Sequence, residues 1–498
     1  MYRYLALILA LLMIISLFSC GEATGDPSDT DTGDSTALPI ESETEIQDNV
    51  PEGLDYDGET ITFLSLGVQG TTIGQITVPE LTGDAISDAV FERNTYVENR
   101  LNVRIENIDI PYTSNPDNNY VVVEKIARAV HSNLDDYDAC TAGCYTIMQY
   151  SLSGIFTDLA TMEYPELDQP WWYDKLNDAI SYKNHQYTAA GSLLLSTYRY
   201  AFATVFNKDM FTDAKQPYLY DYVENGTWTL DKQISLLPIF HVDNGNGVQD
   251  TQGDVYGLIT GLPLHADAYL SSCEIDILTK DEHGDYQYAV DGDRLHSVVE
   301  KVLQLYFGSA GATHNRAGKE PALEMFSQGY GAMITIRLAE LENAHIRNME
   351  QTYGIVPMPR FSEDQDGYYT MLHDAFTSLA VPTTVEGEQL DMVGAVLESM
   401  ASSGLRMIKP VYYDTVLRTR LAKDPESARM LDIIMNGIRV DAGILHLGSL
   451  NFFNLEYRSL VDSNNGNVIS WVKKRQKSDE RAIDLLNKKL TKMMEEGQ

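Results

Sequence analysis

The sequence predicts an α/β protein with parallel-rich sheets flanked by helices and a dominantly helical C-terminal part. Three observations carry that expectation. From residue 59 onward, short apolar runs alternate with amphipathic stretches, the order that parallel sheets with crossover helices produce. From about Asp391 the apolar residues recur at helical spacing, as at 394–400 and 428–434. The body that follows residue 57, roughly 440 residues, is too long for one hydrophobic core and points to two domains.

The first elements can be placed one by one. Residues 61–66, ITFLSL, form an apolar run that stops at Gly67 and reads as a strand. Ile86, Val90, Val97 and Leu101 then lie on one helical face, with Asp84 placed to cap it. Residues 103–110 are strand-like, although their alternation slips at Asn107. Val123, Ile126 and Val130 mark a second helix, and 137–142 a third strand running into Gly143. In parallel sheets, ligands bind beyond the carboxyl ends of the strands. The turns Gly67-Val68-Gln69 and Gly143-Cys144-Tyr145 therefore belong at the edge of a cleft, with Gln69 and Tyr145 as candidate ligand contacts. Residues 192–366 mix short strands and helices around polar loops, and the chain from Lys473 to its end reads as a charged amphipathic helix.

The N-terminus has a different character. Arg3 precedes an apolar run from Leu5 to Phe18, too short for a membrane span and of signal-peptide length. It ends in Leu17-Phe18-Ser19-Cys20, which resembles a lipobox. Residues 1–19 are thus expected to be a signal peptide and Cys20 a lipidated N-terminus. Residues 20–57 are rich in Asp, Glu, Ser, Thr and Gly, and no Lys or Arg occurs between Arg3 and Arg93. Such a stretch cannot bury enough surface to offset its ordering entropy, and it reads as an acidic tether. The formal net charge of −37 excludes nucleic acid as a partner, because phosphate binding needs basic surface. It also excludes a folded body lying flat on anionic lipid. Cys140, Cys144 and Cys273 remain beside Cys20; Cys140 and Cys144 are either bridged or, with Cys273, buried free thiols.

Four blocks give the chain a resemblance. PWWYDK at 170–175 is followed by YKNHQY at 182–187 and by Ala190-Gly191. VFNKDMF at 205–211 precedes GTWTLD at 226–231. YGIVPMP at 353–359 is followed by Tyr368-Tyr369 and by AVP at 380–382, and Leu397-Glu398 and PVYY at 410–413 close the set. In this order the blocks resemble the extracellular solute-binding proteins of bacterial ABC importers, in their carbohydrate-associated group. The resemblance implies a two-lobed, periplasmic-binding-protein-like fold of type II. One lobe would comprise 58–190 plus about 375–400, the other 191–374 plus about 401–498. The chain would cross near 182–191 and return near 372–382. It further implies a lipid-anchored monomer on the outer face of the cell membrane, binding a sugar and serving an ABC permease. A peptide or other polar solute as ligand, and a glycan-acting hydrolase, are the rival readings.

Many relatives carry a calcium-like loop after the Trp-Thr helix. Here residues 242–250 read VDNGNGVQD, with Val242 where the first carboxylate belongs. Asn244, Asn246 and Asp250 keep later positions, so this is an Asn/Gly turn or a weak Ca²⁺ site, since affinity follows ligand charge. No other cofactor is implied.

Sugars are held by aromatic faces and a few fixed polar groups. Trp171 and Trp172 near the first crossing divide between packing and the cleft, and Trp228 is expected to pack. His265, Asp267 and Tyr269, after the apolar run ending at Gly261, are in reach of a ligand. Arg337 lies in an apolar stretch where an unpaired cation is costly; it either pairs with an acid or serves the ligand. His373 and Asp374 precede the return crossing. No GxSxG, HExxH, GxxxxGK[ST] or strand-borne GxGxxG motif is present, which favours binding over catalysis.

Overall fold

The computed structural model describes residues 48–67, 76–113, 116–246, 253–308, 311–314 and 319–496. Cys20, Gln69 and Asp250 lie outside them. In chain order the strands begin with β1 (Glu59–Leu66), β2 (Val103–Ile110) and β3 (Ala139–Gly143). Next come β4 (Phe202–Asn207), β5 (Tyr256–Thr260), β6 (Leu278–Lys280), β7 (Tyr286–Tyr288), β8 (Ala312–His314), β9 (Gly331–Arg337) and β10 (Tyr353–Val356). The last three are β11 (Thr370–Met371), β12 (Thr377–Ala380) and β13 (Ile438–Arg439).

Two sheets organise the body. The first has the order β12-β3-β1-β2. β1 pairs in parallel with β2, Leu66 opposite Ile110, and with β3, Ser65 opposite Thr141. β12 returns antiparallel on β3. A central strand covered on both faces must be apolar on both, which is why 61–66 read as a continuous run. Asn107, where the alternation slips, accepts the Ser65 hydroxyl hydrogen at 2.7 Å. The second sheet has the order β10-β4-β9-β5-β8, with β5, β8 and β9 mutually parallel and β4 antiparallel to β9 and β10. Every residue of β9, β4 and β5 is buried. Helix Leu230–Phe240 packs directly on β5 because Gly257 leaves room; a Cβ there would stand 2.5 Å from the Leu237 Cα.

The helices follow their sequence signals. Asp84 caps helix Ala85–Leu101, accepting the Ser87 N–H at 3.0 Å, a contact worth about 1 kcal/mol. Val90, Val97 and Leu101 of that helix are fully buried. Trp228 is fully buried and donates its indole N–H to the Pro357 carbonyl at 2.9 Å, the packing role expected of it. Helix Val468–Glu496 buries Val468, Val472, Ile483, Leu486 and Leu490, an amphipathic stripe against helix Gly292–Leu303 and β7.

The chain passes between the sheets beside itself. Ala189 bridges Leu379 of β12, and Ala201 bridges Leu372, both antiparallel. Residues 190–200 and 373–376 therefore run side by side from one sheet to the other. A third passage leads from helix Gly387–Met407, packed on helix Ala85–Leu101, to helix Pro425–Asn436, packed on β10. Gly404 lets it touch the first, for a Cβ there would meet the Ser192 carbonyl oxygen at 2.5 Å.

One expectation is corrected at the N-terminal side. The acidic composition predicts a tether as far as residue 57, yet the folded body already includes Asp48. The Asp48 carboxylate pairs with Arg100 at 2.8 Å, its side chain 1% exposed, and Val50 is in the core. A single acid that finds a buried guanidinium is invisible to composition.

Candidate functional site

The parallel strands of the first sheet end together, at Leu66, Ile110 and Gly143. Just beyond those ends come Gly67, Tyr112 and Tyr145. Gly67 donates to the Ile110 carbonyl at 2.9 Å, so the stem that leads to Gln69 lies against Tyr112; Gln69 itself is outside the described residues. Tyr145 opens helix Cys144–Ser151 directly after β3, without an intervening loop. Its ring meets Tyr120 edge-on at 6.1 Å, and Tyr120 in turn lies 6.5 Å from Tyr150. All four tyrosines are partly exposed.

The second sheet presents the matching edge. β9 ends at Arg337, which lies opposite Phe202 at the start of β4, and the chain before β4 brings Tyr200 to the same place. The Tyr112 hydroxyl is within Coulombic reach of Tyr200 and Arg337 on this side and of Tyr145 on its own. The carboxyl ends of both sheets thus converge on one region, where open α/β sheets bind ligands.

Most of the expected polar residues meet there. Arg337 donates from its guanidinium to Glu340 at 2.5 and 3.1 Å, both side chains buried, and Glu340 also accepts the Arg337 N–H at 2.6 Å. Of the two readings left open, the acid pairing is the one observed. The Arg337 guanidinium lies 5.1 Å from the Tyr200 ring centre. His373 donates its backbone N–H to the Tyr200 carbonyl at 3.1 Å and stacks on the Tyr200 ring at 5.8 Å. Asp374 follows, and its carbonyl accepts the Tyr145 N–H at 3.3 Å. Burial, outweighing the nearby Arg458 and Arg337, pushes the Asp374 carboxyl up to about 6. Burial and the same two cations hold His373 well below the usual imidazole range.

His265 and Asp267 form a layer beneath. His265 is buried 6.2 Å from the Phe202 ring, and burial pushes it down to about 4, so it is neutral. Asp267 is buried and holds Arg458 by two hydrogen bonds, one of 2.7 Å. Its Oδ1 and the His265 Nδ1 are sealed without a hydrogen-bond partner among the described residues. Asp267 thus positions Arg458 instead of reaching into the cleft as expected.

Three further candidates leave the site. Trp171 and Trp172 are both buried, and neither faces the cleft. Their indole N–H groups donate to the two oxygens of Glu398, at 2.8 and 2.7 Å. A buried carboxylate needs donors on both oxygens, and the adjacent tryptophans supply them. Tyr269 is fully buried among core residues, its hydroxyl donating to Gln233 at 3.3 Å, so it cannot touch a solute. In the metal-like loop, Asn244 accepts the Asn246 N–H at 2.9 Å and gives its own N–H to Asp254 at 3.0 Å; Asp250 lies outside the described residues. Among the described residues no group of three or more His, Cys, Asp or Glu side chains converges as a metal site. Cys140, Cys144 and Cys273 are buried free thiols, each pushed up to about 12 by burial.

Sequence reasoning missed Tyr112, Tyr200, Glu340 and Arg458. Tyr112 was within its reach, since the strand-end rule that picked Tyr145 applies equally after β2. Arg458 was not: it lies 191 residues from Asp267 on a helix with no local signal.

No protein-family model matches the chain, and no curated protein matches it. Solved structures do. The ABC substrate-binding protein Lmo0181 from Listeria monocytogenes, in complex with cycloalternan, aligns with a TM-score of 0.53 at 13% identity. That alignment covers 87% of this chain and 100% of that one. The GacH receptor of Streptomyces glaucescens, solved unliganded and with acarbose or an acarbose homolog, aligns with a TM-score of 0.50 at 15% identity. It covers 87% of this chain and 99% of that one. At such identities the likeness is one of architecture: this chain has the two-lobed, periplasmic-binding-protein-like α/β fold found in ABC substrate-binding proteins.

Proposed function

We propose that this protein is the substrate-binding subunit of an ABC importer and captures a carbohydrate or oligosaccharide between its two sheets. The observation that carries the reading is the facing of unlike edges. One edge offers tyrosine rings, which suit the C–H faces of sugars. The other offers guanidinium groups and an imidazole fixed by buried partners, which suit hydroxyls. The two similar structures, solved with cycloalternan and with acarbose, support the same ligand class. No catalytic step is part of the proposal.

The lobes we assign are 58–190 plus about 375–400, and 191–374 plus about 401–498, with the N-terminal lobe extended back to Asp48. The side-by-side passages between sheets serve as the hinge. Closure becomes favourable when a solute bridges both edges, and a permease then reads the closed form. Lipid on Cys20 holds this trap at the outer face of the cell membrane, and the tether raises its concentration near the permease.

A thermal-shift screen against sugars, oligosaccharides and peptides tests the reading. Ligand at 100 times its Kd stabilises the folded state by about 2.7 kcal/mol. A shift confined to sugars that are recovered intact supports it. Cleavage of the sugar would replace it with a hydrolase, and a shift confined to peptides would move the ligand class. The anchor is tested separately: Cys20→Ala releases the protein from membranes or leaves its precursor uncleaved, and a membrane-bound mature variant refutes lipidation.

A further inference from the structure

The last helix, Val468–Glu496, carries charge of the opposite sign to the chain as a whole. Residues 473–492 hold eight of the 36 Lys and Arg but three of the 73 Asp and Glu. Helical spacing sorts them. Val472, Asp479, Ile483, Leu486 and Leu490 are buried against the body. Lys474, Lys477, Arg481, Leu485, Lys488 and Lys492 follow one another at steps of three and four on the opposite face. All six are exposed. They form a straight stripe about 27 Å long at 1.5 Å per residue, with Glu480 and Asp484 to one side of it.

Two features set this face apart from an ordinary solvated one. Arg475, on the buried side, is ion-paired with Glu456 at 2.8 Å and Asp479 at 2.6 Å. Lys474, Lys477, Arg481 and Lys488 take no ion pair among the described residues, although acids far outnumber bases in the chain. Leu485, in the middle of the stripe, is 66% exposed, where solvation alone would favour a polar side chain. The helix is also firmly mounted. The Asn487 side chain accepts the Tyr286 N–H of β7 at 3.0 Å and donates to the Tyr286 carbonyl at 2.9 Å. The Tyr182 hydroxyl lies 3.3 Å from the Asn487 carbonyl oxygen. Whatever holds the stripe therefore holds the body in one orientation.

We propose that this stripe docks on an anionic phospholipid bilayer. A row of cations is drawn to lipid phosphates, and an apolar side chain among them enters the interfacial layer. A single free anion would fill a fraction of the row, whereas a bilayer offers phosphates along its whole length. A protein partner would need an apolar core at its contact, and this ridge has one leucine. Charges beyond about 8 Å are screened at physiological salt, so the acidic remainder of the body does not cancel the attraction. It keeps the other faces off the bilayer, and the contact is one helix wide. The proposal goes beyond the sugar reading and does not depend on it.

Amine acylation of the full chain, read lysine by lysine by mass spectrometry, tests the proposal. Phosphatidylglycerol vesicles should slow the modification of Lys474, Lys477 and Lys488 at least about fivefold relative to phosphatidylcholine vesicles. Lys175 and Lys215, exposed on other elements, should be unchanged. The protection should vanish at about 1 M salt, where the screening length falls to about 3 Å, and in the double variant Lys477→Glu/Lys488→Glu. Flotation reads the Cys20 anchor separately: acyl chains carry the protein up with either vesicle, the stripe with the anionic one alone. Equal protection on both vesicles, protection that survives high salt or the double variant, or protection by inorganic phosphate alone overturns the proposal. So does concentration-dependent protection without vesicles, which would give the stripe to the acidic surface of a second copy. If the double variant fails to fold, the vesicle and salt dependence of the unaltered protein decides.

Discussion

Glu398 offers a direct test of how burial and hydrogen bonding compete in this body. Its side chain is fully buried and accepts three N–H groups, from Trp171, Trp172 and the Glu166 backbone at 3.2 Å. The donors favour the charged form; burial disfavours it and wins, pushing the carboxyl from its ordinary 4.5 up to about 7. A carboxyl raised on folding binds its proton more tightly when folded. Its contribution is therefore full below about pH 4.5 and is lost as pH rises through about 7. At 1.36 kcal/mol per unit, the loss is about 3 kcal/mol. Glu398→Gln keeps the shape and cannot titrate. Its amide leaves one indole N–H without an acceptor, a cost of about 1–3 kcal/mol, against a neutral Glu398 that meets the same conflict through its O–H. The measurement is urea unfolding of both proteins across this pH range. The stability of the variant relative to the unaltered protein should rise by up to about 3 kcal/mol between the acidic and the neutral end. A relative stability that falls with pH would show that the three donors outweigh burial, and the reasoning would be wrong.

Arg458→Met removes the partner of the buried Asp267 carboxylate and should cost about 3–5 kcal/mol in urea unfolding; a change within about 0.5 kcal/mol would show that Asp267 is held in another way. Tyr145→Ala should weaken sugar binding at least about tenfold by titration calorimetry, and unchanged affinity would remove Tyr145 from the ligand surface. Trp228→Phe loses the bond to Pro357 in a filled core site and should cost about 1–3 kcal/mol, whereas a neutral result would make that hydrogen bond dispensable.

Period and local capping carried most of the first sheet. The run at 61–66, the helical face from Ile86 to Leu101 and the Asp84 cap each depend on residues a few positions apart, so one sequence suffices to see them. The site was only half visible for the same reason. Tyr145, Arg337, His373 and Asp374 stand at strand ends or beside the passages, positions that topology predicts. Their partners come from elsewhere: Arg458 reaches Asp267 from a C-terminal helix, and Glu398 lies 227 residues from Trp171. Aromatic pairs such as Trp171 and Trp172 look the same in a sequence whether they face a ligand or a buried acid. Only the distant acid decided it.

The central claim is that an intact sugar is captured between the tyrosine edge of the first sheet and the Arg337–His373 edge of the second. Titration calorimetry with the sugar chosen by the thermal screen, followed by chemical analysis of the recovered sugar, tests it most directly. A single saturable site near micromolar affinity, about −8 kcal/mol, with the sugar unchanged and the heat lost in Tyr145→Ala, is the predicted result. Heat that persists undiminished in that variant, or a cleaved sugar, would contradict it.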